Sequence, residues 1–328
     1  MKDSEFLRSL DKHIGRPVCF LFSLLNLFRR KVRQAEVRNI LFLELFEMGA
    51  AVMAYPAIRR LQKSHPRANI YCLCTDSVKE AWEALNVLPG GHIFSIESKG
   101  LFRFASSLLS LIAQLRKIQI DLLIDLELFT RISSIIAFLS GAKRISGFHR
   151  YDMEGLYRGS YYDCSVAFNQ NAHIAKNFLA LVLAAVDDRN DVPRLKREVD
   201  LAGCDFPRYE SDRAIGAAVI GKLKKACPDY DRQPIVLVCP DVGENLPIRN
   251  YPWESYATAI KTILSNKPDS LVVLIGTLKN RETCRRIVRE VAHRRCIDFS
   301  GKTATLRELL ELLLLAALLI GNDNGPLH

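Results

Sequence analysis

The 328 residues provide enough chain for two domains with sizeable cores, and 49% hydrophobic with 25% charged residues is ordinary for a globular protein. The net charge of +10 favours anionic partners, but nucleic acid, anionic lipid and phosphorylated substrates all satisfy it. The nine cysteines are odd in number and form no CxxC pair. This argues against a disulfide framework or a zinc site and favours a reducing, cytoplasmic compartment.

An apolar segment lies near the amino terminus. Pro17 to Phe28 reads PVCFLFSLLNLF, and four basic residues follow between positions 29 and 33. Roughly 20 apolar residues are needed for a helix to span a bilayer, so this segment is too short to cross one. Two interpretations remain open: a helix that lies in an anionic membrane surface as a peripheral contact, and a helix that packs on the domain behind it.

The first half of the chain alternates apolar, strand-like runs with segments of helical periodicity, which is typical of βαβ units in a parallel sheet. The predicted strands are 39–46, 69–74, 92–95, 121–126 and 143–147, and the predicted helices are 50–62, 77–85, 102–116, 132–139 and 171–186. Gly49 is predicted in a turn after the first strand. Residues 148–170, rich in Tyr, Gly, Arg and Asp, are expected to form a long surface loop.

A polar stretch at 187–213, with two prolines, is the predicted linker. It divides the chain into an amino-terminal extension at 1–38, a Rossmann-like domain at 39–186 and a second Rossmann-like domain at 214–328. In the second domain the predicted strands are 234–239, 270–275 and 318–320, and the predicted helices are 253–265, 280–292 and 306–317.

The final residues, from Ile320 to His328, read IGNDNGPLH. A strand that enters a glycine-bearing turn, with Pro326 at the first position of a helix, is typical of an anion site. Free backbone N–H groups and the helix dipole face the ligand there. The chain stops before the helix that this turn should open, so we expect a chain truncated at its carboxyl terminus, with an incomplete second domain.

Ligands of open parallel sheets gather at the carboxyl ends of the strands, so the candidate loops are those after Phe46, Cys239 and Ile320. The second of these loops leads to Arg249, just ahead of a helix. A guanidinium suits phosphate binding, although a solvated arginine at a helix start has the same pattern. The absence of GxGxxG argues against a dinucleotide oxidoreductase.

Five segments, in order, resemble glycosyltransferase family 9, the bacterial ADP-heptose:lipopolysaccharide heptosyltransferases. The resemblance covers most of residues 38–328. The matching segments are Gly49 with Pro56-Ala57-Ile58; Asp125-Leu126, Arg131, Ser133 and Gly141-Ala142-Lys143-Arg144 through Gly147-Phe148; Arg249-Asn250-Tyr251-Pro252; Gly301-Lys302-Thr303 with Leu306-Arg307-Glu308-Leu309; and Gly321 to His328, where Asn324 replaces the family's usual Thr.

The resemblance implies an α/β fold of GT-B type, in which two Rossmann-like domains face each other across a cleft. It implies inverting, metal-independent transfer without a cofactor, in which an acceptor hydroxyl attacks the anomeric carbon of a nucleotide sugar. The expected donor is ADP-heptose, and the expected acceptor is a lipopolysaccharide core or a related surface glycan. Arg249 would neutralise the leaving diphosphate. The residues implied to bind the donor and its phosphates are Gly49, Arg249, Asp323, Asn324, Gly325 and His328.

One position departs from the family pattern. The family usually has Asp directly after the turn glycine, proposed as the general base, and this chain has Ala50. Glu44 and Glu47 are the carboxylates near this turn, and we predict that Glu47 replaces the missing base. The alternative is that Glu47 only caps or solvates the turn. The chain would then be a catalytically impaired homologue that binds a nucleotide sugar or a glycan.

A basic band surrounds the aromatic loop of the first domain. Its members are Lys143, Arg144, His149, Arg150 and Arg158. Lys143, Arg144 and Arg150 are predicted to bind an anionic glycolipid or polysaccharide acceptor, and a solvated basic face is the alternative. We expect a location in the cytoplasm, peripheral on the inner face of the bacterial cytoplasmic membrane. Nucleic acid is not an expected partner, because the charge is spread over the chain without a recognised binding motif.

Overall fold

The computed structural model describes residues 11–29, 36–98, 100–148, 157–186, 199–202, 204, 206–240, 250–322 and 324–327. The chain divides into two compact units, Met1–Pro207 and Arg208–His328, and each is described by itself. Within the described residues, every helix is too short or too polar to cross a membrane.

The first unit contains a six-stranded parallel sheet with the order β3-β2-β1-β4-β5-β6. Its strands are β1 (Asn39–Leu43), β2 (Asn69–Thr75), β3 (Ile93–Ile96), β4 (Leu122–Asp125), β5 (Arg144–Phe148) and β6 (Cys164–Val166). Its helices are α1 (Arg16–Leu25), α2 (Met48–Met53), α3 (Tyr55–Ser64), α4 (Asp76–Ala84), α5 (Leu101–Ile118), α6 (Ile132–Leu139) and α7 (Ile174–Val186).

The central strands β1 and β4 are buried along almost their whole length because helices cover the sheet on both faces. On one face, Leu41 and Leu43 share a core with Leu115 of α5 and Ile136 of α6. Helix α1 packs on α6 from outside, with Phe22 beside this core. On the other side of the strands, α7 packs on α3 and on the last two strands.

Two expectations for the turn after β1 are wrong. Gly49 is the second residue of α2 and does not lie in a turn. The single helix expected over 50–62 is two helices, α2 and α3, which meet at Ala54. Pro56 explains the break, because proline is accepted in the first turn of a helix but removes a hydrogen bond from a helix interior.

The long surface loop expected over 148–170 is also wrong for its described residues, 148 and 157–170. Cys164–Val166 forms β6, which pairs with β5 at the edge of the sheet. Arg158 and Tyr161 are buried, and the Tyr161 ring lies 5.0 Å from that of Phe138. Tyrosines that look polar in sequence here carry their ring area into the core and bond through their hydroxyls.

The second unit contains a four-stranded parallel sheet with the order β10-β7-β8-β9. Its strands are β7 (Ile235–Cys239), β8 (Leu271–Leu274), β9 (Cys296–Asp298) and β10 (Ala316–Gly321). Its helices are α8 (Arg213–Ala226), α9 (Trp253–Asn266), α10 (Arg281–Val291) and α11 (Leu306–Leu314).

The sequence pattern missed two elements of this unit and misplaced one boundary. Helix α8 begins after Asp212, whose carboxylate accepts the N–H groups of Ala214 and Ile215 as an N-cap. Strand β9 is only three residues long. Helix α11 ends at Leu314, so part of the leucine run expected to be helical belongs to β10. The proposed linker includes residues 187–198, 203 and 205, which lie outside the described part of the chain.

Candidate functional site

Two buried carboxyl side chains lie at the carboxyl edge of the first sheet. Glu44 follows β1 and Glu127 follows β4, and these strands are neighbours with Leu43 paired to Asp125. Because parallel strands end at the same edge, the two glutamates come together there. Their side chains hydrogen-bond to each other, and both are buried.

The two carboxyls hold the turn that leads into α2. The N–H of Leu45 donates to Oε1 of Glu127 at 2.8 Å, and the N–H of Glu47 donates to Oε1 of Glu44 at 3.2 Å. Buried backbone donors need partners, and here side chains from two strands supply them. The glutamate pair therefore positions the backbone on which Glu47 stands.

Burial decides the charge of this pair. Burial, together with the adjacent carboxyl of Glu127, raises the pKa of Glu44 well above its ordinary value. Burial also raises the pKa of Glu127 to about 7, although the N–H of Leu45 acts in the opposite direction. Two adjacent carboxyls in an apolar setting share a proton, because the doubly charged form is unfavourable.

A buried ion pair lies next to the glutamates. Nη2 of Arg158 donates to Oδ2 of Asp125 at 2.6 Å, and the hydroxyl of Tyr162 donates to the same oxygen at 2.5 Å. Arg158 also donates to the backbone carbonyl of Glu127 and, at 3.0 Å, to that of Thr130. Burial acts to lower the pKa of Arg158, but Asp125 and its other anionic neighbours outweigh burial and raise it. The guanidinium thus stays charged and ties the loop after β4 to its strand.

Glu47 is an accessible carboxylate of this edge, at the end of the central strand β1. It immediately precedes α2, its side chain is exposed, and it makes no capping hydrogen bond to the helix. Gly49 and Ala50 follow in the first turn of α2, partly buried. The structure therefore brings the predicted residues Glu47 and Gly49 together, with Glu44 beneath them. A solvent-facing carboxylate on a fixed turn can accept a proton from a bound hydroxyl group.

A second polar centre lies at the carboxyl edge of the other sheet, within the second unit. Asn322 directly follows β10, and its Oδ1 accepts from the hydroxyl of Tyr256 at 2.8 Å and from the N–H of Tyr251 at 3.3 Å. Its Nδ2 donates to the carbonyl of Pro240 at 3.2 Å. Burial raises the pKa of Tyr256 to about 12, so this hydroxyl keeps its proton at physiological pH. The amide thereby links β10, the end of β7 and the start of α9.

A cavity of about 470 Å³ opens beside this centre, within the roughly 300–1,000 Å³ range of small-molecule sites. Its lining includes Tyr251, Tyr256, Gly321 and Asn322. Gly321 is required by packing, since a Cβ there would lie 2.9 Å from the carbonyl oxygen of Cys239. The cavity combines aromatic surface with amide and hydroxyl groups, which suits a flat, polar ring.

The final turn is only partly described. The side chain of Asn324 donates to Sγ of Cys239 at 3.2 Å, which places it at the end of β7. Gly325–Leu327 forms a single 3₁₀ turn, with Pro326 at its middle position. The other predicted donor-site residues, Arg249, Asp323 and His328, lie outside the described residues.

Three members of the predicted basic band, Lys143, Arg144 and Arg158, lie in the described part of the chain. Lys143 and Arg144 lie at the amino end of β5, the opposite edge from Glu47, where Lys143 pairs with Asp121 at 2.7 Å and Arg144 donates to the carbonyl of Ala185. Arg158 is buried in its ion pair, so it is not a surface cation as expected. The other two members, His149 and Arg150, lie outside the described residues.

Sequence reasoning missed Glu127, Tyr256 and Asn322 as parts of these centres. Glu127 carries a usable signal, because an acidic residue two positions after the buried run 122–125 stands at a strand's carboxyl end. Asn322 belongs to the final segment, Ile320 to His328, that the sequence analysis singled out. Its partner Tyr256 lies on a helix face that looks like ordinary core in sequence.

The chain is similar to a known protein family. The family model of glycosyltransferase family 9 (heptosyltransferase) matches residues 108–328, which is more than half of the chain. No curated protein sequence matches the chain.

Solved structures of similar fold include several glycosyltransferases. E. coli ADP-heptose LPS heptosyltransferase II is 18% identical with a TM-score of 0.66, over 88% of this chain and 80% of that one. A glycosyl transferase family 9 protein from Veillonella parvula DSM 2008 is 16% identical with a TM-score of 0.69, over 90% and 78%. E. coli heptosyltransferase WaaC with ADP-2-deoxy-2-fluoro heptose is 12% identical with a TM-score of 0.59, over 87% and 83%. These likenesses confirm the predicted α/β fold of GT-B type.

Proposed function

Because this chain belongs to glycosyltransferase family 9, we propose that its glycosyl transfer uses a nucleotide-sugar donor, ADP-heptose, and an anionic surface-glycan acceptor such as a lipopolysaccharide core. The observation that carries the proposal is the pairing of that family match with an exposed carboxylate, Glu47, on a turn fixed by buried carboxyls. Two solved relatives in complex with ADP or an ADP-heptose analogue support the choice of donor.

In the proposed reaction Glu47 acts as the general base. Its carboxylate takes the proton of the acceptor hydroxyl while the hydroxyl oxygen attacks the anomeric carbon of the donor. The bond from that carbon to the diphosphate oxygen breaks, and the nucleoside diphosphate leaves with the bonding electrons, which inverts the anomeric centre. The route uses neither a metal nor a cofactor. The base contributes about 10² to 10⁴ in rate.

The buried pair Glu44 and Glu127 has a positioning role in this proposal. Its carboxyls accept the N–H groups of Leu45 and Glu47, so they set the direction in which the Glu47 side chain leaves the turn. Because the pair shares a proton, it places less negative charge beneath Glu47 than two carboxylates would.

The second unit is proposed to bind the donor. The cavity beside Asn322 and Tyr256 would receive the flat base of the nucleotide. Asn324, at the end of β7, stands in the turn proposed for the phosphates, together with Gly325. Arg249, Asp323 and His328 complete this proposal from the sequence, with Arg249 neutralising the leaving diphosphate.

The donor assignment is tested by thermal denaturation of the purified chain against ADP-heptose, ADP, UDP and UDP-N-acetylglucosamine. A ligand at 100 times its dissociation constant stabilises the folded state by roughly 2.7 kcal/mol, so ADP-heptose and ADP should raise the melting temperature and the uridine nucleotides should not. Stabilisation by UDP compounds alone would assign a different nucleotide. Equal stabilisation by all four would remove the donor assignment.

The base is tested with Glu47→Gln, which keeps the size of the side chain and removes the proton acceptor. We expect kcat to fall about 10² to 10⁴ while the dissociation constant for the donor stays unchanged. Glu97→Gln, an exposed glutamate of the same unit, is the matched control and should transfer sugar at the parent rate. Transfer at the parent rate by Glu47→Gln would remove Glu47 from the mechanism.

A second candidate function is a binding protein for a nucleotide sugar or glycan that does not turn it over. Ala50, at the position where the family usually has its Asp base, favours this candidate. Tight donor binding without transfer or hydrolysis, in the parent chain and in Glu47→Gln alike, would support it.

A further inference from the structure

Helix α1 presents its apolar side chains outward. Six large hydrophobic residues on and just after this helix are between 45% and 85% exposed: Phe20, Leu21, Leu24, Leu25, Leu27 and Phe28. Relative to the first, they recur at i+1, i+4, i+5, i+7 and i+8, a spacing that places them on one face. We call this face the outer face of α1.

The opposite face of the helix is anchored to the first unit. The Phe22 ring stacks on that of Phe138 with centroids 4.4 Å apart, and Cys19 is fully buried. The hydroxyl of Ser23 bonds the Tyr157 hydroxyl at 2.9 Å and accepts the N–H of Ser160 at 2.8 Å. The helix therefore packs Cys19 and Phe22 inward and also displays leucines and phenylalanines outward, whereas a surface helix of a water-soluble domain has a polar outer face. Since the inner face is held by these bonds, the outer face is displayed at a fixed orientation.

The sequence from position 11 to position 33 is rich in positive charge, and its residues Arg30, Lys31 and Arg33 lie outside the described part of the chain. Between positions 11 and 33 the sequence contains six residues that are Lys or Arg and one acidic residue, Asp11. Asp11 is already used inside the unit, since it accepts from Nη1 of Arg131 at 2.9 Å and from the Arg131 N–H at 2.8 Å. Lys12 and Arg16 are exposed at the amino-terminal end of the helix.

We propose that the outer face of α1 docks on a bilayer surface that contains anionic lipids. The helix would lie in the plane of the headgroups, with its leucines and phenylalanines about 5–10 Å deep and its cations at the lipid phosphates. Positive charge beside an all-aliphatic and phenylalanine face selects this occupant over a second copy of the chain, because two copies would bring like charges together. This inference goes beyond the proposed transfer reaction and does not depend on which sugar is moved.

The test is sedimentation of the purified chain with vesicles of phosphatidylethanolamine and phosphatidylglycerol. The parent chain should bind these vesicles, bind pure phosphatidylcholine more weakly, and lose affinity as salt is raised. Leu21→Glu with Leu25→Glu should lower the partition coefficient about 100-fold, since each buried leucine contributes about tenfold. Leu278→Glu, which changes an even more exposed leucine in the second unit, is the matched control and should bind like the parent.

A second measurement keeps the inference testable if the double variant folds poorly. Phe28→Trp places a fluorophore on the outer face, and its emission should shift to the blue when the anionic vesicles are added. An unshifted spectrum, or equal sedimentation of parent and double variant, would overturn the proposal. A third result would also overturn it: light scattering shows that the parent is a dimer that does not bind vesicles, and Leu21→Glu with Leu25→Glu converts this dimer to a monomer. That result would assign the face to a second copy of the chain.

Discussion

The carboxyl edges of the two sheets use different side chains to hydrogen-bond the loops that follow the strands. In the first unit, buried ionisable groups bind the loops to the strand ends: Glu44, Asp125, Glu127 and Arg158. In the second unit, the neutral side chains of Asn322 and Tyr256 do so. Both edges need hydrogen-bond partners for backbone groups that the strand ladder no longer pairs.

Because their side chains differ, the two edges should respond differently to pH. A buried charged cluster is sensitive to pH and costly to break, because its members balance one another in a setting of low dielectric. An amide and a neutral phenol keep the same bonds across the neutral range. We therefore expect the first edge to depend on pH and the second to be indifferent to it.

The largest effect is expected from Arg158→Met. The substitution leaves Asp125 buried without its cation, and breaking a buried pair in this way costs about 3–5 kcal/mol of unfolding free energy. Urea denaturation followed by circular dichroism measures it. Arg38→Met, which breaks the exposed pair with Glu36, should leave stability almost unchanged, because water screens that pair. Similar losses in the two variants would show that burial does not set the strength of the first pair.

A pH-dependent effect is expected from Glu127. Its pKa rises from 4.5 to about 7 on folding, so the folded chain keeps a proton that the unfolded chain releases. The contribution of Glu127 to the free energy of unfolding is therefore fully present below about pH 4.5 and is lost as the pH rises through about 7. In Glu127→Gln the amide imitates the protonated acid, so at pH 8 the variant should exceed the parent by about 2–3 kcal/mol and at pH 4.5 match it.

Urea denaturation at pH 4.5, 6 and 8 measures how the free energy of unfolding of the parent and of Glu127→Gln changes with pH. Glu36→Gln, at an exposed glutamate, should run parallel to the parent at all three values. If Glu127→Gln also ran parallel to the parent, the shared proton would be disproved.

The smallest effect is expected from Asn322→Ala in the second unit. It leaves the Tyr256 hydroxyl and the Tyr251 N–H without their acceptor, which costs about 1–3 kcal/mol. Because these groups are neutral, the loss should be equal at pH 5 and pH 8. Asn266→Ala, at an exposed asparagine, should leave stability unchanged. A loss that varied strongly with pH would contradict the contrast between the two edges.

Prediction from the sequence succeeded where one strong local signal was enough. The core strands β2, β4, β7 and β8 are short apolar runs between polar turns, and each was placed within one or two residues. It failed where two local patterns compete. The leucines of 306–320 satisfy helix and strand alike, and only pairing with β7 makes the last of them β10. The tyrosines near 161 look like loop residues until a core surrounds them.

The sequence pattern located the buried strand that Glu47 and Gly49 follow, and the roles of these two residues stay predictions. The roles of Lys143 and Arg144 were inferred from charge alone. Charge gives no information about which edge of the sheet a residue reaches. In the structure both lie at the amino edge, in contact with Asp121 and Ala185.

The alternation of strands and helices, the parallel sheets and the family were predictable from the sequence, because they depend on periodicity and on short motifs that the chain carries in order. Which residues meet became clear from the folded structure. Glu44 and Glu127 are 83 positions apart in the sequence and meet because β1 and β4 are neighbours, and burial there raises the pKa of both carboxyls. The outer face of α1 is known to be outer only because Phe22 and Ser23 hold the other side of the helix against the first unit. Contacts of this kind arise from strand order and packing, which no local pattern encodes.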